Sequence, residues 1–350
     1  IIYMRRLSIT LFSLCLASAL TAQTTGSNQS VRLRADNIDE VVSAMTLEEK
    51  VHLVIGCGMS MGSDTKFPGT AGRTYDIPRL GIPSAYLADG PHRLAMAAKR
   101  EFDSRTYHAT EFPSSTTVAA TFNPDAAHKV GRTLGMEVKD YGLDVLLAPG
   151  VNLMRNVLCG RNHEYYSEDP VLAGKMAAAY INGVQSRGTG TCLKHFAVNN
   201  QETNRLNNNT IVPTRALREM YLRPFEIVVK EAQPWTIMTS YNKLNGTYTA
   251  ERADLLTTVL RDEWGFKGLV TSDWLGGVNP VWSVQAGNDL LMPGLAKQRD
   301  SILKAIRLGT LSLHDVDRNV QRVLELILRS PHLSLIHISE PTRLGISYAV

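Results

Sequence analysis

The chain has few cysteines and a small net charge, and each of these features argues against certain classes of protein. Its 350 residues include four cysteines with no CxxC spacing, which argues against a disulfide framework or a zinc site. The formal net charge is only +4 and no run of Lys and Arg occurs, so no nucleic-acid partner is expected. No apolar stretch after residue 20 is long enough to cross a bilayer.

The N-terminal segment has the features of an export signal. Two arginines after Met4 precede an apolar core at 7–20, and small residues up to Ala22 offer cleavage points. We therefore expect a signal peptide at 1–22, with 1–3 upstream of the start, and export to the periplasm or the medium without a membrane contact. Any two of the three remaining cysteines could form a bridge in such a compartment: Cys57, Cys159 and Cys192.

The expected domain begins after a polar linker and stops before the last residues. The linker covers 23–37, and the segment 333–350 has neither a helical nor a strand period. We expect one domain over 38–332, followed by a non-native tail at 333–350.

Within that domain, short apolar runs alternate with segments of helical period. The apolar runs are PSAYLADG, TTVAATFN, DVLLAPG, GTCLKHF, WTIMTSYN, GLVTSDW and NDLLMPG. This alternation predicts α/β architecture with a parallel sheet, and runs that are apolar throughout predict strands covered on both faces. Their number favours a (β/α)8 TIM-type barrel over a doubly wound sheet, and no GxGxxG turn follows the first run.

Polar or aromatic side chains follow the ends of these runs. They are Asp89, Arg155, Lys194, His195, Tyr241, Asp273 and Trp274. Because the carboxyl ends of barrel strands meet at one mouth, we expect these groups to converge there. A neutral sugar needs acidic and basic side chains that hydrogen-bond to its hydroxyl groups, and an aromatic side chain that packs against the C–H face of its ring. These residues supply both.

Each of these side chains also has a purely structural interpretation. Asp89 belongs to an Asp-Gly pair that could form a turn. Lys194 and His195 could be satisfied groups in a polar layer of the barrel, and Tyr241 and Trp274 could pack at the rim.

The stretch CGRNHEYYSEDP also allows a structural interpretation. We favour a pairing of Arg161 with Glu164 that braces a loop, and a helix that starts at Asp169 and Pro170. A similar helix start is predicted at Thr46, which has Glu49 three residues later.

Six ordered stretches resemble the N-terminal barrel domain of glycoside hydrolase family 3, the β-glucosidase group, from about Met45 to Leu328. They are LADGPHR, FPSSTTVAATFN, LLAPGVNLMRNVLCGRNHEYYSEDP, CLKHFAVNNQETNR, IMTSYNKLNG and GLVTSDW. The resemblance implies that Asp273 is the catalytic nucleophile and that Trp274 forms part of the pocket wall. It also implies a set of ligands for the sugar hydroxyls: Asp89, Arg155, Lys194, His195 and Tyr241.

The resemblance further implies an exo-acting, retaining enzyme that releases terminal β-D-glucose or a related sugar through a covalent glycosyl-aspartate, without a cofactor. Retention requires a second carboxyl as acid/base, which most of the family carries on a following α/β sandwich domain. We expect that domain to be missing here and the fragment to be nearly inactive. KHFAVNNQETNR lacks the second histidine of the N-acetylglucosaminidase subgroup. The candidates for an acid within the chain are Glu111, Glu164 and Glu202.

Two other functions remain as alternatives. One is a non-catalytic glycan-binding barrel, against which the acid in TSDW argues. The other is a lyase that forms a Schiff base through Lys194. No metal site is expected, because the histidines have no HExxH or similar spacing.

Overall fold

The computed structural model describes residues 31–58, 66–101, 103–331 and 333 of the chain. The predicted signal peptide at 1–22 and, apart from its first residue, the predicted tail lie outside the described residues. Within the described ranges, no helix combines the length and the apolar character that crossing a membrane requires.

The described chain alternates strands with helices. The strands are β1 (Gly72–Arg73), β2 (Tyr86–Asp89), β3 (Val145–Leu147), β4 (Gly190–Phe196), β5 (Asn209–Thr210), β6 (Thr236–Thr239), β7 (Lys243–Leu244), β8 (Thr247–Tyr248) and β9 (Leu269–Thr271). The α-helices are α1 (Ile38–Ala44), α2 (Leu47–Val54), α3 (Ser115–Ala119), α4 (Pro124–Asp140), α5 (Pro170–Gln185), α6 (Thr214–Ala216), α7 (Arg223–Ala232), α8 (Pro280–Ala286), α9 (Ala296–Arg307) and α10 (Leu313–Arg329). Two π-helical segments cover Leu217–Tyr221 and Asp254–Glu263, and short 3-10 turns cover Pro78–Leu80, Asn162–Glu164 and Thr249–Glu251.

A curled six-stranded sheet lies at the centre, in the order β1-β2-β3-β4-β6-β9. Strands β2, β3, β4, β6 and β9 pair in parallel, while β1 pairs antiparallel with β2. Isolated bridges extend both edges: Thr271 with Leu290, Leu291 with Ile55, and Cys57 with Arg73. The predicted α/β class is therefore confirmed. The eightfold parallel barrel is not confirmed, because six strands join the sheet and one of them is antiparallel.

The strand predicted at TTVAATFN is wrong, because this segment contains helix α3. The Ser114 hydroxyl accepts a hydrogen bond from the backbone N–H of Thr117, which caps the helix start. Val118 and Ala119 are buried against the core. An apolar run of this length fits a short buried helix as well as a strand, and the cap favours the helix.

The two predicted helix starts are confirmed. Thr46 and Glu49 form a reciprocal capping box at the start of α2. The Asp169 carboxylate accepts hydrogen bonds from the backbone N–H groups of Val171 and Leu172, at 2.7 and 2.9 Å, and thereby caps α5. The second cap fixes the end of the loop that carries Glu164.

Both faces of the sheet are buried, as the apolar runs predict. In β3, Leu146 belongs to a core cluster with residues of α4, α5 and α7, whereas Val145 and Leu147 belong to a second cluster with residues of α2 and α10. Glycine allows α4 and α5 to approach closely, since a Cβ on Gly131 would lie 2.1 Å from the Tyr180 carbonyl oxygen. The charged side chains of β2 and β4 lie toward the carboxyl ends of these strands, at Asp89 and Lys194.

Candidate active site

The carboxyl ends of the parallel strands bring several of the predicted side chains to one edge of the sheet. Asp89 is the last residue of β2, and Lys194 and His195 lie near the end of β4. Tyr241 follows β6 by two residues, and Asp273 follows β9 by two residues. The parallel pairing places these ends side by side, which makes this edge the candidate site.

Asp273 is the most enclosed carboxylate of this group. The residue is 7% exposed, and its Oδ1 accepts a hydrogen bond of 2.7 Å from the backbone N–H of Trp274. Its Oδ2 is buried and has no hydrogen-bond partner within the described part of the chain. The imidazole nitrogen Nε2 of His195 lies 3.7 Å from that oxygen. One carboxylate oxygen is therefore held in place, and the other is open to a ligand.

Burial dominates the electrostatics of Asp273. It raises the pKa of Asp273 above the ordinary value, although Arg161, Lys194, the Trp274 N–H and the Tyr241 phenol all act to lower it. Desolvation is therefore the larger effect on this carboxylate. The cations still favour the carboxylate over the neutral acid.

Lys194 joins two carboxylates, one at the end of β2 and one in the loop between β3 and α5. Its Nζ lies 3.5 Å from Asp89 Oδ1 and 3.7 Å from Glu164 Oε2. The Lys194 and Glu164 side chains are 4% and 5% exposed, whereas the Asp89 side chain is 58% exposed. Asp89 is thus the member of this group that remains open to solvent.

The predicted pairing of Arg161 with Glu164 is confirmed, and it lies in the site. Arg161 Nε donates a hydrogen bond to Glu164 Oε1, while Glu164 Oε2 faces Lys194. Burial raises the pKa of Glu164, but Lys194 and Arg161 outweigh that effect, so the pKa lies below its ordinary value. Arg161 Nη1 is buried without a hydrogen-bond partner in the described ranges, which leaves an open donor near Asp273.

His195 is fixed by residues that the sequence did not single out. Its backbone N–H donates to Asn152 Oδ1 and its carbonyl accepts from Asn152 Nδ2, both at 2.9 Å. Its ring nitrogen Nδ1 lies 3.3 Å from the Tyr165 hydroxyl. Burial lowers the pKa of His195 well below its ordinary value, and Arg161 and Lys194 lower it further. The imidazole is therefore neutral.

The two predicted aromatic residues also border Asp273. The Trp274 indole donates a hydrogen bond of 2.9 Å to the Ala71 carbonyl, which fixes the ring. Tyr241 is partly buried, and both burial and Asp273 raise the pKa of its phenol. The guanidinium of Arg205 lies 4.3 Å from the Tyr241 ring centroid, a second contact that the sequence did not indicate.

Arg155 is not brought into this group. It is exposed, and its guanidinium lies 5.9 Å from the ring centroid of Tyr221. Among the residues that the structure describes, its side chain has no ion pair with Asp89 or Asp273.

The three glutamates considered as an acid within the chain are all paired with arginine. Glu164 contacts Arg161, Glu202 lies 3.0 Å from Arg205, and Glu111 lies 3.3 Å from Arg93. The Glu111 side chain is 66% exposed. For Glu164, Lys194 and Arg161 hold the pKa below its ordinary value, which makes this carboxyl a weak proton donor.

No group of three or more His, Cys, Asp or Glu side chains among the described residues could hold a metal ion. Cys159 and Cys192 are both buried thiols.

Comparison with known proteins places most of the chain in one family. The family model for the glycosyl hydrolase family 3 N terminal domain matches residues 90–326. Thermostable beta-glucosidase B of Acetivibrio thermocellus is 43% identical over 300 residues, which cover 84% of this chain and 38% of that protein. An exo-alpha-(1->6)-L-arabinopyranosidase of Bifidobacterium longum is 43% identical over 291 residues, covering 82% of this chain and 37% of that protein.

A solved structure agrees with these relatives. The structure of beta-glucosidase 3B from Thermotoga neapolitana in complex with glucose superimposes with a TM-score of 0.83 at 48% identity, covering 88% of this chain and 45% of that one. The chain thus spans less than half the length of these relatives.

Proposed function

Because the chain belongs to glycosyl hydrolase family 3, we propose that its strand-end cluster hydrolyses terminal β-linked glucose or a related sugar with retention of configuration. The observation that carries this proposal is the buried Asp273 carboxylate, which has one oxygen fixed by the Trp274 N–H and the other without a hydrogen-bond partner among the described residues. A nucleophile needs this combination of orientation and a free lone pair.

In the proposed mechanism, Asp273 Oδ2 attacks the anomeric carbon as the bond from that carbon to the leaving oxygen breaks. The acid/base protonates the leaving oxygen and a covalent glycosyl-aspartate forms; water then attacks the anomeric carbon from the face that the leaving group had occupied, loses a proton to the acid/base and displaces the Asp273 carboxylate. Arg161 and Lys194 stabilise the carboxylate before attack and when it is released. Burial raises the free energy of the ionised group, so bond formation relieves an unfavourable desolvation.

The neighbouring side chains supply the ligands that a pyranose requires. We assign Asp89 and Lys194 to a pair of adjacent hydroxyls, since they offer an exposed acceptor and a buried donor 3.5 Å apart. His195 and Tyr241 would contact further hydroxyls, and Trp274 would form a wall against the ring. Arg155 remains a proposed hydroxyl ligand at the exposed rim.

Arg161 and Glu164 have a supporting role in this proposal. Glu164 holds Arg161 and Lys194 at the same time, so it sets the separation of the two cations that face Asp273. The buried Arg161 Nη1, unpaired within the described ranges, offers a further donor to the sugar.

We propose that the acid/base lies on a following α/β sandwich domain in the whole protein. The three candidate glutamates are engaged with arginines, and the relatives are more than twice as long as the segment they share with this chain. In this proposal the curled sheet belongs to a (β/α)8-type barrel domain that covers residues 38–332. The whole protein is an exported enzyme.

The named relatives differ in the sugar that they release. One is named a beta-glucosidase, and another of equal identity is named an arabinopyranosidase, whose pyranose lacks the C6 hydroxymethyl group. A comparison of kcat/KM for nitrophenyl β-D-glucopyranoside and α-L-arabinopyranoside decides between them. We expect the glucoside to be preferred.

The experiment that tests the activity compares leaving groups. Without a proton donor, the 350-residue chain should cleave 2,4-dinitrophenyl β-glucoside, whose leaving group needs no protonation, but barely cleave cellobiose. Brisk cellobiose hydrolysis by this chain would place the acid within it. Binding of glucose without turnover of either substrate, even with the following domain restored, would instead support a glycan-binding barrel.

The lyase alternative is tested separately. Borohydride reduction in the presence of a carbonyl substrate would attach that substrate to Lys194 if a Schiff base forms. We expect no such adduct, because the Lys194 side chain is only 4% exposed and its amine lies between the Asp89 and Glu164 carboxylates, at 3.5 and 3.7 Å.

A further inference from the structure

A buried chain of polar groups leads from Asn199 through Tyr165 to His195 and ends at Asp273. Asn199 Nδ2 lies 3.3 Å from the Tyr165 hydroxyl, and that hydroxyl lies 3.3 Å from His195 Nδ1. On the other side of the imidazole, Nε2 lies 3.7 Å from Asp273 Oδ2. Tyr165 is fully buried, and Asn199 and His195 are each 1% exposed.

The direction of the first hydrogen bond is fixed by chemistry. An amide nitrogen can only donate, so the Tyr165 oxygen accepts from Asn199. The single hydroxyl proton of Tyr165 is then available to another acceptor. The ring nitrogen Nδ1 of His195 is the acceptor within reach among the described residues.

A neutral imidazole carries one proton on either Nδ1 or Nε2. If Nδ1 accepts from Tyr165, the proton is on Nε2, and the ring presents an N–H donor to Asp273 Oδ2. The opposite tautomer would turn a nitrogen lone pair toward the lone pairs of that carboxylate. It would also leave the Tyr165 proton without the acceptor nitrogen.

We propose that Tyr165 is a positioning residue that holds His195 as its Nε2–H tautomer, so that the imidazole donates toward Asp273 and the bound sugar. Asn199 orients the Tyr165 hydroxyl, and Asn152 fixes the His195 backbone through two hydrogen bonds. The ring therefore acts as a neutral donor in the site, and the phenol acts only through it.

The catalytic part of this inference rests on the proposed function, whereas the tautomer itself does not. A neutral His195 fits its buried position between cations, because burial together with Arg161 and Lys194 lowers the pKa of the imidazole. The two claims can therefore be tested by different measurements on the same protein.

The tautomer is measured by two-bond ¹H–¹⁵N correlation spectra of the ¹⁵N-histidine-labelled chain, in which the His195 signals are identified by their loss in His195→Gln. We expect the Nε2–H pattern in the wild type and a mixture of tautomers in Tyr165→Phe. Tyr166→Phe is the matched control, since it removes a neighbouring buried phenol and should leave the pattern unchanged. A wild-type Nδ1–H pattern, or an unchanged pattern in Tyr165→Phe, would overturn the proposal.

Even if Tyr165→Phe does not fold, the wild-type spectrum still tests the tautomer of His195. For a folded variant, we expect kcat/KM for 2,4-dinitrophenyl β-glucoside to fall by about tenfold, which is the scale of one neutral hydrogen bond. Failure of a 2-deoxy-2-fluoroglucoside to label Asp273 would refute the proposed function but would not bear on the tautomer of His195. Failure of the proposed function and failure of the tautomer proposal are therefore distinguishable.

Discussion

Lys194 and Glu164 meet at the candidate site with the lysine Nζ 3.7 Å from the glutamate Oε2, and both side chains are almost fully buried. Arg161 Nε donates a hydrogen bond to the other Glu164 oxygen, Oε1. Two cations are thereby held beside the buried Asp273, and both lower its pKa against the effect of burial. The ionisation of Asp273 therefore depends on groups from the end of β4 and from the loop between β3 and α5.

The first prediction concerns pH. Asp273 must be ionised to attack, and burial raises its pKa, so the rate should fall in acid with a midpoint above the ordinary Asp value of about 3.9. Lys194→Met removes a charge that lowers this pKa, so the acidic limb should move to higher pH. We also expect kcat/KM to fall by about 10²–10³-fold, because a buried donor is lost.

The measurement is the pH dependence of kcat/KM for 2,4-dinitrophenyl β-glucoside. Lys175→Met is the matched control, because Lys175 forms an exposed ion pair with Glu231. An acidic limb that stays in place in Lys194→Met would contradict the electrostatic account.

The second prediction concerns stability. Glu164→Gln leaves the buried Arg161 and Lys194 without their shared carboxylate, so we expect the free energy of unfolding to fall by about 3–5 kcal/mol. Glu231→Gln breaks the exposed pair with Lys175 and should cost about 1 kcal/mol or less. Urea unfolding of both variants provides the comparison, and equal losses would show that burial of the pair does not matter.

The third prediction concerns Asp273 itself. A carboxyl whose pKa is raised in the folded state destabilises the fold as pH rises above the unfolded value of about 3.9. Asp273→Asn removes that cost, so it should melt at a higher temperature than the wild type at pH 7. The difference should disappear below about pH 4, where both states of the wild type are protonated. A variant that melts lower at pH 7 would show that the cations outweigh burial.

The fourth prediction concerns the helix pair that supports β3 and β4. A methyl group on Gly131 would lie 2.1 Å from the Tyr180 backbone oxygen, so Gly131→Ala should force α4 and α5 apart. We expect a loss of about 1–3 kcal/mol, although alanine favours an isolated helix. Gly160→Ala is the control, since its nearest neighbouring atom would be 4.0 Å away. A stabilised Gly131→Ala would contradict the observed packing.

Much of the site follows from local sequence. A buried apolar run followed by a polar residue predicts a strand end, which is why Asp89, Lys194, His195 and Asp273 could be placed together. The pairing of Arg161 with Glu164 was also predictable, because the two residues are three apart. Their contact with Lys194 was not, since it joins residues 30 positions apart through the curl of the sheet.

Other features of the fold and of the site could not be predicted from the sequence. Strand β1 has two residues, too few to show a period, and its antiparallel pairing depends on the fold around it. The segment with α3 has the composition of a strand, and only the Ser114 cap separates the two interpretations. Tyr165 and Tyr166 are adjacent tyrosines that the sequence does not distinguish, but of the two it is Tyr165 that contacts His195.

The central claim is that the Asp273 carboxylate attacks the anomeric carbon of a bound sugar. It is tested most directly by treating the protein with 2,4-dinitrophenyl 2-deoxy-2-fluoro-β-glucoside, whose leaving group needs no acid, and locating the label by mass spectrometry of peptides. We predict one fluoroglucosyl group on Asp273 and none in Asp273→Asn. A label on another residue, or labelling that persists in Asp273→Asn, would contradict the account.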